Sequence, residues 1–395
     1  MAALDTVLTI DELMARARRR VPKMFFDYAD SGSYTETTYR DNESDFQKIK
    51  LRQKVAVNLE GRSLASTMLG KAITMPVAIA PAATGGMQVA DGEIKAARAA
   101  EKYGIPFTLS TMSVCSIEDI AENTTAPFWF QLYVMRDRGF IERLIERAKA
   151  AKCSALVLTM DLQILGQRHK DIHNGLSTPP KFNAKSVWQM VQHPQWCIEM
   201  LGTKRHTFRN IVGHVEGGHD LSSLSVWTAS QFDPTLSWKD VAWVKERFGG
   251  PVIVKGVLDP EDARAAVEHG ADAIVVSNHG GRQLDGAPST IRVLPEIIDA
   301  VGSQTEVYLD SGIRSGQDVL KALALGAKGT FIGRAMLYGL GAGGEAGVTR
   351  ALDIIAKELD TTMALCGERD ILNVGPHNIY SNDIPKRNSP LGTQG

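Results

Sequence analysis

Two apolar runs, Pro251-Val252-Ile253-Val254-Lys255-Gly256 and Ala273-Ile274-Val275-Val276-Ser277-Asn278-His279, flank residues 260–269, whose apolar positions recur at helical spacing and which Gly270 stops. Each run is apolar at nearly every position, as in a strand covered on both faces. A strand, a helix and a second strand in close succession call for a parallel crossover. The second run continues into Gly280-Gly281-Arg282-Gln283-Leu284-Asp285-Gly286, so an apolar strand ends abruptly in a histidine, two glycines and an arginine. A histidine can take a proton near neutral pH, and an arginine three residues on can hold a carboxylate through two parallel hydrogen bonds. The glycines let the backbone turn sharply and approach a ligand. A satisfied structural histidine beside a surface arginine is the bland alternative.

Outward from this unit, similar runs at 76–81, 106–110, 127–133, 155–161, 306–312 and 329–333 bring the candidate strands to eight. Helical patterns at 141–151 and 315–325, the latter stopped by Gly326, fill gaps between them. The expected fold is α/β, an eight-stranded (β/α) TIM barrel with an N-terminal helical extension and a long insertion after the fourth strand. An open doubly wound sheet is the alternative, but eight strands favour closure. Residues 1–75 read as helices, with start signals at Thr9-Ile10-Asp11-Glu12 and Pro22, followed by an irregular linker, and this whole extension is expected to cover one barrel mouth. The barrel spans 76–380, the insertion lies at about 170–235, and 381–395 form a C-terminal tail. Between the fourth and fifth strands lie about 90 residues where a βα unit uses about thirty.

The chain has 395 residues and a formal net charge of −1, which gives no basis for nucleic-acid binding. No stretch reaches the roughly 18 apolar residues of a membrane span, and residues 1–20 lack the pattern of a secretory signal, so cytoplasmic residence is expected. Cys115, Cys153, Cys197 and Cys366 have neither C-x-x-C spacing nor neighbouring ligand residues; disulfides and a metal site are not expected. Within the insertion, residues 181–214 carry Lys181, Lys185, Lys204, Arg205 and Arg209 against Glu199 alone, interleaved with Trp188, Trp196, Met190 and Met200. That composition suits a peripheral patch on an anionic membrane, with a solvated loop as the alternative.

Barrel enzymes carry their chemistry at the C-terminal strand ends. Polar residues gather there: Ser110, Gln131 and Tyr133, Thr159 and Asp161, Lys255, Ser277 and His279, Asp310, and Gly333-Arg334. Asp310-Ser311-Gly312-Ile313-Arg314 and Ile332-Gly333-Arg334 follow the last two strands, where many barrels hold phosphate. Gly339-Leu340-Gly341-Ala342-Gly343-Gly344 matches G-x-G-x-x-G, but no strand immediately precedes it, so it is read as a decoy.

Together these residues resemble the FMN-dependent 2-hydroxy-acid dehydrogenases and oxidases. The resemblance runs through Phe26-Asp27-Tyr28, Ser31-Gly32, Leu109-Ser110-Thr111, Gln131-Leu132-Tyr133, the long motif from Ser277 to Gly286, Asp310 to Arg314, and Gly333-Arg334. Leu109 to Cys115, Arg136 to Phe140, His193 to Trp196 and Gly333-Arg334-Ala335 look most like the membrane-associated, cytochrome-type (quinone-linked) L-lactate dehydrogenases. The resemblance implies bound FMN, with His279 as base and Asp161 behind it. On electrostatic grounds that carboxylate should raise the histidine's pKa. By the same resemblance Arg168 and Arg282 clamp the substrate carboxylate, Tyr28 and Tyr133 hydrogen-bond it, and Lys255 faces the flavin edge that becomes negative on reduction. Arg314, Gly333 and Arg334, with Gly312, would receive the phosphate and Asp310 the ribityl chain; Ser110, Gln131, Thr159 and Ser277, with backbone from Ala82 and Ala83, would meet the rings. Leu165, Gly85 and Met112 would line the substrate pocket. Two departures from the usual pattern are Gln163, where proline commonly follows Asp161 by two residues and whose presence should loosen that loop, and Ala82, where threonine is frequent.

The implied reaction is oxidation of a small L-2-hydroxy acid, with lactate first and mandelate or another larger acid second. The electrons would pass to a quinone or other carrier, or to oxygen in a soluble oxidase. A homo-oligomer, tetrameric by resemblance, peripheral on the cytoplasmic face of the inner membrane, completes the expectation. A redox-neutral phosphate-barrel isomerase or lyase would leave two arginines beside a base unexplained, and a non-catalytic flavin protein would not need them.

Overall fold

The computed structural model describes residues 4–175, 184–214 and 230–380; Lys181 and the tail at 381–395 lie outside the described residues. Thr9 accepts a hydrogen bond from the Glu12 amide and so caps α1 (Ile10–Arg20), and Pro22 precedes α2 (Lys23–Ala29). After α3 (Thr37–Lys48) the expected irregular linker in fact contains a hairpin, β1 (Ser66–Met68) and β2 (Lys71–Ile73). Three-residue strands are too short for a period-two pattern to stand out in sequence. The hairpin turn is held by the Leu69 amide donating to Glu306 Oε2 and to the Tyr308 hydroxyl, both at 3.0 Å. Glu306 opens its strand, so the hairpin plugs the mouth opposite the strands' C-terminal ends.

All eight expected barrel strands form, as β3 (Val77–Ile79), β4 (Thr108–Ser110), β5 (Trp129–Leu132), β6 (Ala155–Thr159), β7 (Val252–Val257), β8 (Ala273–Val276), β9 (Glu306–Leu309) and β10 (Gly329–Ile332). They pair in parallel in the order β3-β10-β9-β8-β7-β6-β5-β4. The Ile79 amide donates to the Pro106 carbonyl at 2.8 Å, beside a parallel bridge from Ile79 to Phe107, and this closes β3 onto the β4 side. Alternation along each strand splits its side chains between two cores. Ala155, Val157, Ile253, Ala273 and Val275 point into the barrel with Trp129, Tyr308 and Phe331. Their neighbours Leu156, Leu158, Val252, Val254, Ile274 and Val276 face the helical layer. That is why the runs are apolar at both parities: each face of the sheet is buried. Truncating Phe331 to alanine inside the barrel would cost about 3–5 kcal/mol.

The outer layer is α4 (Gly85–Gln88), α5 (Gly92–Tyr103), α6 (Ile117–Asn123), α7 (Arg138–Ala150), α8 (His169–His173), α9 (Ala184–Val191), α10 (Pro194–Leu201), α11 (Lys239–Phe248), α12 (Pro260–Glu268), α13 (Thr290–Val301), α14 (Gly316–Ala324) and α15 (Arg334–Leu365). The G-x-G-x-x-G match lies inside α15, which kinks at Gly343 and Gly344. Its glycines serve packing. A Cβ on Gly339 would stand 2.7 Å from the Gly347 carbonyl oxygen, so the two halves of the kinked helix cross backbone to backbone.

Candidate active site

The first hydrogen-bonded group at the C-terminal mouth spans three adjacent strands. Lys255, at the end of β7, donates to Ser277 Oγ at 2.9 Å and lies 3.1 Å from Asp310 Oδ2, while Ser277 Oγ donates to the same carboxylate at 2.6 Å. Burial alone would raise the Asp310 pKa, but the Lys255 charge, the hydrogen bonds from Ser277 and Lys255 and the nearby His279 together outweigh it and hold the carboxyl below its ordinary value. Gly256, at φ +107°, bulges β7 directly after Lys255; a Cβ there would lie 2.7 Å from the Asp161 side chain, so the glycine makes room for that carboxylate.

His279 follows β8 with φ +57°, the start of three consecutive left-handed residues with Gly280 and Gly281. Histidine tolerates this region better than bulky residues do, and the glycines adopt it freely. Its Nδ1 lies 3.0 Å from Asp161 Oδ1, which leaves Nε2 as the ring nitrogen free to act. The expected rise in the histidine pKa is not what the surroundings give. Burial pushes it below the ordinary histidine value, and Lys255 and Arg282 add to this; together they outweigh the pull of Asp161. The imidazole therefore rests neutral near pH 7, the form a base needs. Asp161 stays ionised, since burial is outweighed by His279 and Lys255. The loosening expected from Gln163 is absent: Gln163 donates to the Leu236 carbonyl, and Gln283 donates to the carbonyls of Asp161 and Ile164, tying the Asp161 loop to the His279 loop.

Tyr28, from α2, lies between two guanidinium groups, with Arg168 at 5.4 Å and Arg282 at 4.8 Å from its ring centroid. Arg282 also donates to the Tyr28 carbonyl at 2.6 Å, and its pKa is pulled down to about 10 by burial and by Arg168. Tyr133, buried edge-on against Phe232, has its hydroxyl pKa pushed up by burial and by Asp161. At the far side, Arg334 donates to the carbonyls of Ala29, Gly280 and Ser31, and Arg314 reaches Glu43 at 2.8 Å. These contacts use one N–H on each Arg334 nitrogen and leave two of its five N–H groups for a ligand.

A single cavity of about 390 Å³ joins these groups. It is lined by Tyr28, Tyr133, Arg168, Lys255, His279, Arg282, Asp310, Gly312, Arg314, Gly333 and Arg334, together with Ala82, Ala83, Met112 and Leu165. Ser110, Gln131 and Thr159 are not among the lining residues. They form a buried row in which Ser110 donates to Gln131 Oε1 and Gln131 Nε2 to Thr159 Oγ1, each at 3.0 Å. Gly85 is a correction: it opens α4 on the side away from the cavity, and a Cβ on it would meet Glu93 at 3.3 Å. Met87, on the same loop, lines the cavity instead. The sequence reading also missed Asp171, in the first turn of α8 after its N-cap residue Arg168, as well as Phe25 and Phe232.

The insertion needs two corrections. Trp196 lines the cavity, stacked 5.1 Å from Phe25 with its indole N–H donating to the Met87 carbonyl, so it is a wall residue and not a membrane anchor. Arg205 is paired with Asp91 and Asp119, and Arg209 with Asp119, so two of the five cations are already neutralised.

One cavity thus brings together a neutral histidine backed by a carboxylate, two buried arginines over a tyrosine, and a buried lysine–aspartate pair near two further arginines. A profile of the FMN-dependent dehydrogenase family matches residues 17–381, and the chain belongs to that family. It is 47% identical over 368 residues to an L-lactate dehydrogenase of Stenotrophomonas maltophilia strain K279a, covering 93% of this chain and 97% of that one. A second, from strain R551-3, is 48% identical over 362 residues, with 91% and 95% covered. Among solved structures, the monotopic membrane protein (S)-mandelate dehydrogenase superposes with a TM-score of 0.91 at 35% identity, covering 95% of this chain and 99% of that one. A mandelate oxidase gives 0.81 at 34% identity, with 95% and 98% covered. The protein is an FMN-dependent oxidoreductase of 2-hydroxy acids.

The cavity fits that cofactor. Gly312 (φ +87°), closely backed by the Asn42 carbonyl, and Gly333 present backbone to the cavity, Arg314 and Arg334 supply positive charge, and Gly333 caps the N-terminus of α15, whose amides favour a phosphate.

Proposed function

We propose that the chain oxidises L-lactate to pyruvate and passes the electrons to a quinone. The observation that carries the reading is the convergence of His279, Arg168 and Arg282 on one cavity that Lys255 also faces. Bound FMN supplies the hydride acceptor. The remaining work falls to side chains: Arg168 and Arg282 hold the substrate carboxylate, and Tyr28 and Tyr133 hydrogen-bond carboxylate or hydroxyl. His279 Nε2 takes the hydroxyl proton, and Asp161 stabilises the imidazolium that results. Lys255 provides positive charge at the flavin and Asp310 meets the ribityl chain; Arg314, Arg334, Gly312 and Gly333 take the phosphate. Ala82 and Ala83 contribute backbone to the ring, backed by Ser110, Gln131, Thr159 and Ser277.

Lactate is favoured by the names of the two bacterial relatives. A larger acid such as mandelate is the second reading, favoured by the apolar wall of Met87, Met112, Leu162, Leu165 and Phe232. A panel of 2-hydroxy acids, scored by anaerobic flavin bleaching and by steady-state formation of the matching 2-oxo acid, separates them: the highest kcat/KM on L-lactate supports the first, and on (S)-mandelate the second.

Contact with a membrane surface is part of the same proposal. Among the described residues no helix is long and apolar enough to cross a membrane, but Val187, Trp188 and Val191 on α9 and Ile198 and Leu201 on α10 are exposed, Leu201 at 84%. With Arg205 and Arg209 already paired, this apolar face and not net charge would drive binding. Sedimentation with anionic liposomes that persists in salt and is lost in Ile198→Ser/Leu201→Ser is the expected result. Peroxide release matching turnover, without liposome binding, would make the protein a soluble oxidase. A homo-oligomer, tetrameric on the resemblance, is checked by sedimentation velocity.

A further inference from the structure

We propose that Asp171 is a specificity-determining residue of the carboxylate clamp, a built-in counter-charge that weakens its grip on anions so that a single carboxylate binds and leaves readily. The inference rests on the reading of Arg168 and Arg282 as that clamp.

Asp171 lies in the five-residue helix α8, is 5% exposed, and lines the cavity. Its Oδ2 stands 3.5 Å from Arg168 Nη1, and its Oδ1 accepts from Ser31 Oγ at 3.3 Å. Ser31 also receives Arg282, whose Nη1 lies 3.3 Å from the Ser31 carbonyl and 3.4 Å from its hydroxyl. Asp171 thus meets Arg168 directly and is joined to Arg282 through Ser31. The other two carboxylates of the catalytic group are committed elsewhere, Asp161 to His279 and Asp310 to Lys255. Two buried guanidinium groups over one tyrosine ring repel each other, and a carboxylate beside them relieves that repulsion.

The 3.5 Å separation is long for a charge-assisted hydrogen bond, so Asp171 does not close a tight fork on Arg168 and leaves that fork open to a ligand. Burial raises the Asp171 pKa against the pull of Arg282, Arg168 and Ser31; in its ionised form it sets one negative charge beside the two positive ones that an incoming carboxylate meets. A negative charge about 6 Å from the ligand, at an effective dielectric near 20, weakens anion binding by up to about a hundredfold; rearrangement on its removal should leave tenfold or more visible.

The test uses the FMN-loaded enzyme and two probes, acetate and the neutral acetamide, each titrated against the absorbance of the bound flavin. Asp171→Asn should tighten acetate at least tenfold, leave acetamide unchanged, and lower KM for L-lactate more than it alters kcat; Asp171→Glu should return acetate affinity toward wild type. If the amide variant fails to retain FMN, Asp171→Ala is judged in the same way. Acetate binding that is unchanged or weaker in charge-removed enzyme with wild-type flavin content overturns the inference and makes Asp171 a mere prop for Arg168. Failure of the clamp reading itself looks different: acetate affinity would then be indifferent to Arg282→Ala.

Discussion

His279 Nδ1 and Asp161 Oδ1 are 3.0 Å apart, yet the histidine is held below, not above, its ordinary pKa. Burial and two nearby cations outweigh one carboxylate, so the pair rests as neutral imidazole and ionised aspartate. Such a pair is ready to accept a proton, and the carboxylate gains its full attraction only once the imidazolium has formed.

The pH profile follows with a definite sign. Because the neutral form is active and the pKa lies below the ordinary histidine value, the midpoint of the acid limb of kcat/KM for the hydroxy acid should lie below pH 6.5. Asp161→Asn removes the one influence among these that raises the histidine pKa. Its acid limb should move to still lower pH while kcat falls about 10²–10⁴-fold. Steady-state profiles of both enzymes check this; an acid limb above 6.5 in the wild type would contradict it.

Lys255→Met leaves a buried carboxylate, Asp310, without its cation. Breaking such a pair costs about 3–5 kcal/mol, so denaturant unfolding should show a loss of that size even without cofactor. Replacing both partners, as in Lys255→Met/Asp310→Leu, should recover much of the stability but not FMN binding.

Gly312→Ala should weaken FMN at least tenfold. The position has φ +87°, and a Cβ there would stand 2.0 Å from the Asn42 carbonyl oxygen, so the backbone beside the phosphate cradle must move. Gly61→Ala is the control: its φ is +69° but nothing lies within 4 Å of the added carbon. Flavin fluorescence titration should find only the first variant impaired.

The barrel was legible because strands buried on both faces read as short, nearly unbroken apolar runs, and because histidine, lysine, aspartate and arginine gather at their C-terminal ends. His279, Arg282, Lys255, Asp310 and Arg334 were found this way. The β1–β2 hairpin was not, since three residues per strand carry no period. Asp171 was not singled out, because a lone aspartate three residues after an arginine looks the same in sequence whether it is solvated or buried in a cavity wall. Trp196 was misread because an indole in a basic segment looks the same in sequence whether it faces lipid or stacks on Phe25. The direction of the His279 shift was also beyond the sequence, which supplied the neighbouring carboxylate but not the depth of burial or the approach of Lys255 and Arg282.

The most direct test of the account mixes FMN-loaded enzyme with L-lactate without oxygen and follows the flavin absorbance in a stopped-flow instrument, for wild type and for His279→Ala. Rapid bleaching of the wild type is expected, with a rate lower by about 10²–10⁴-fold or more in the variant at equal FMN content, because the base acts on substrate and not on cofactor binding. Near-wild-type bleaching in His279→Ala, or no bleaching of the wild type by any 2-hydroxy acid, would contradict it.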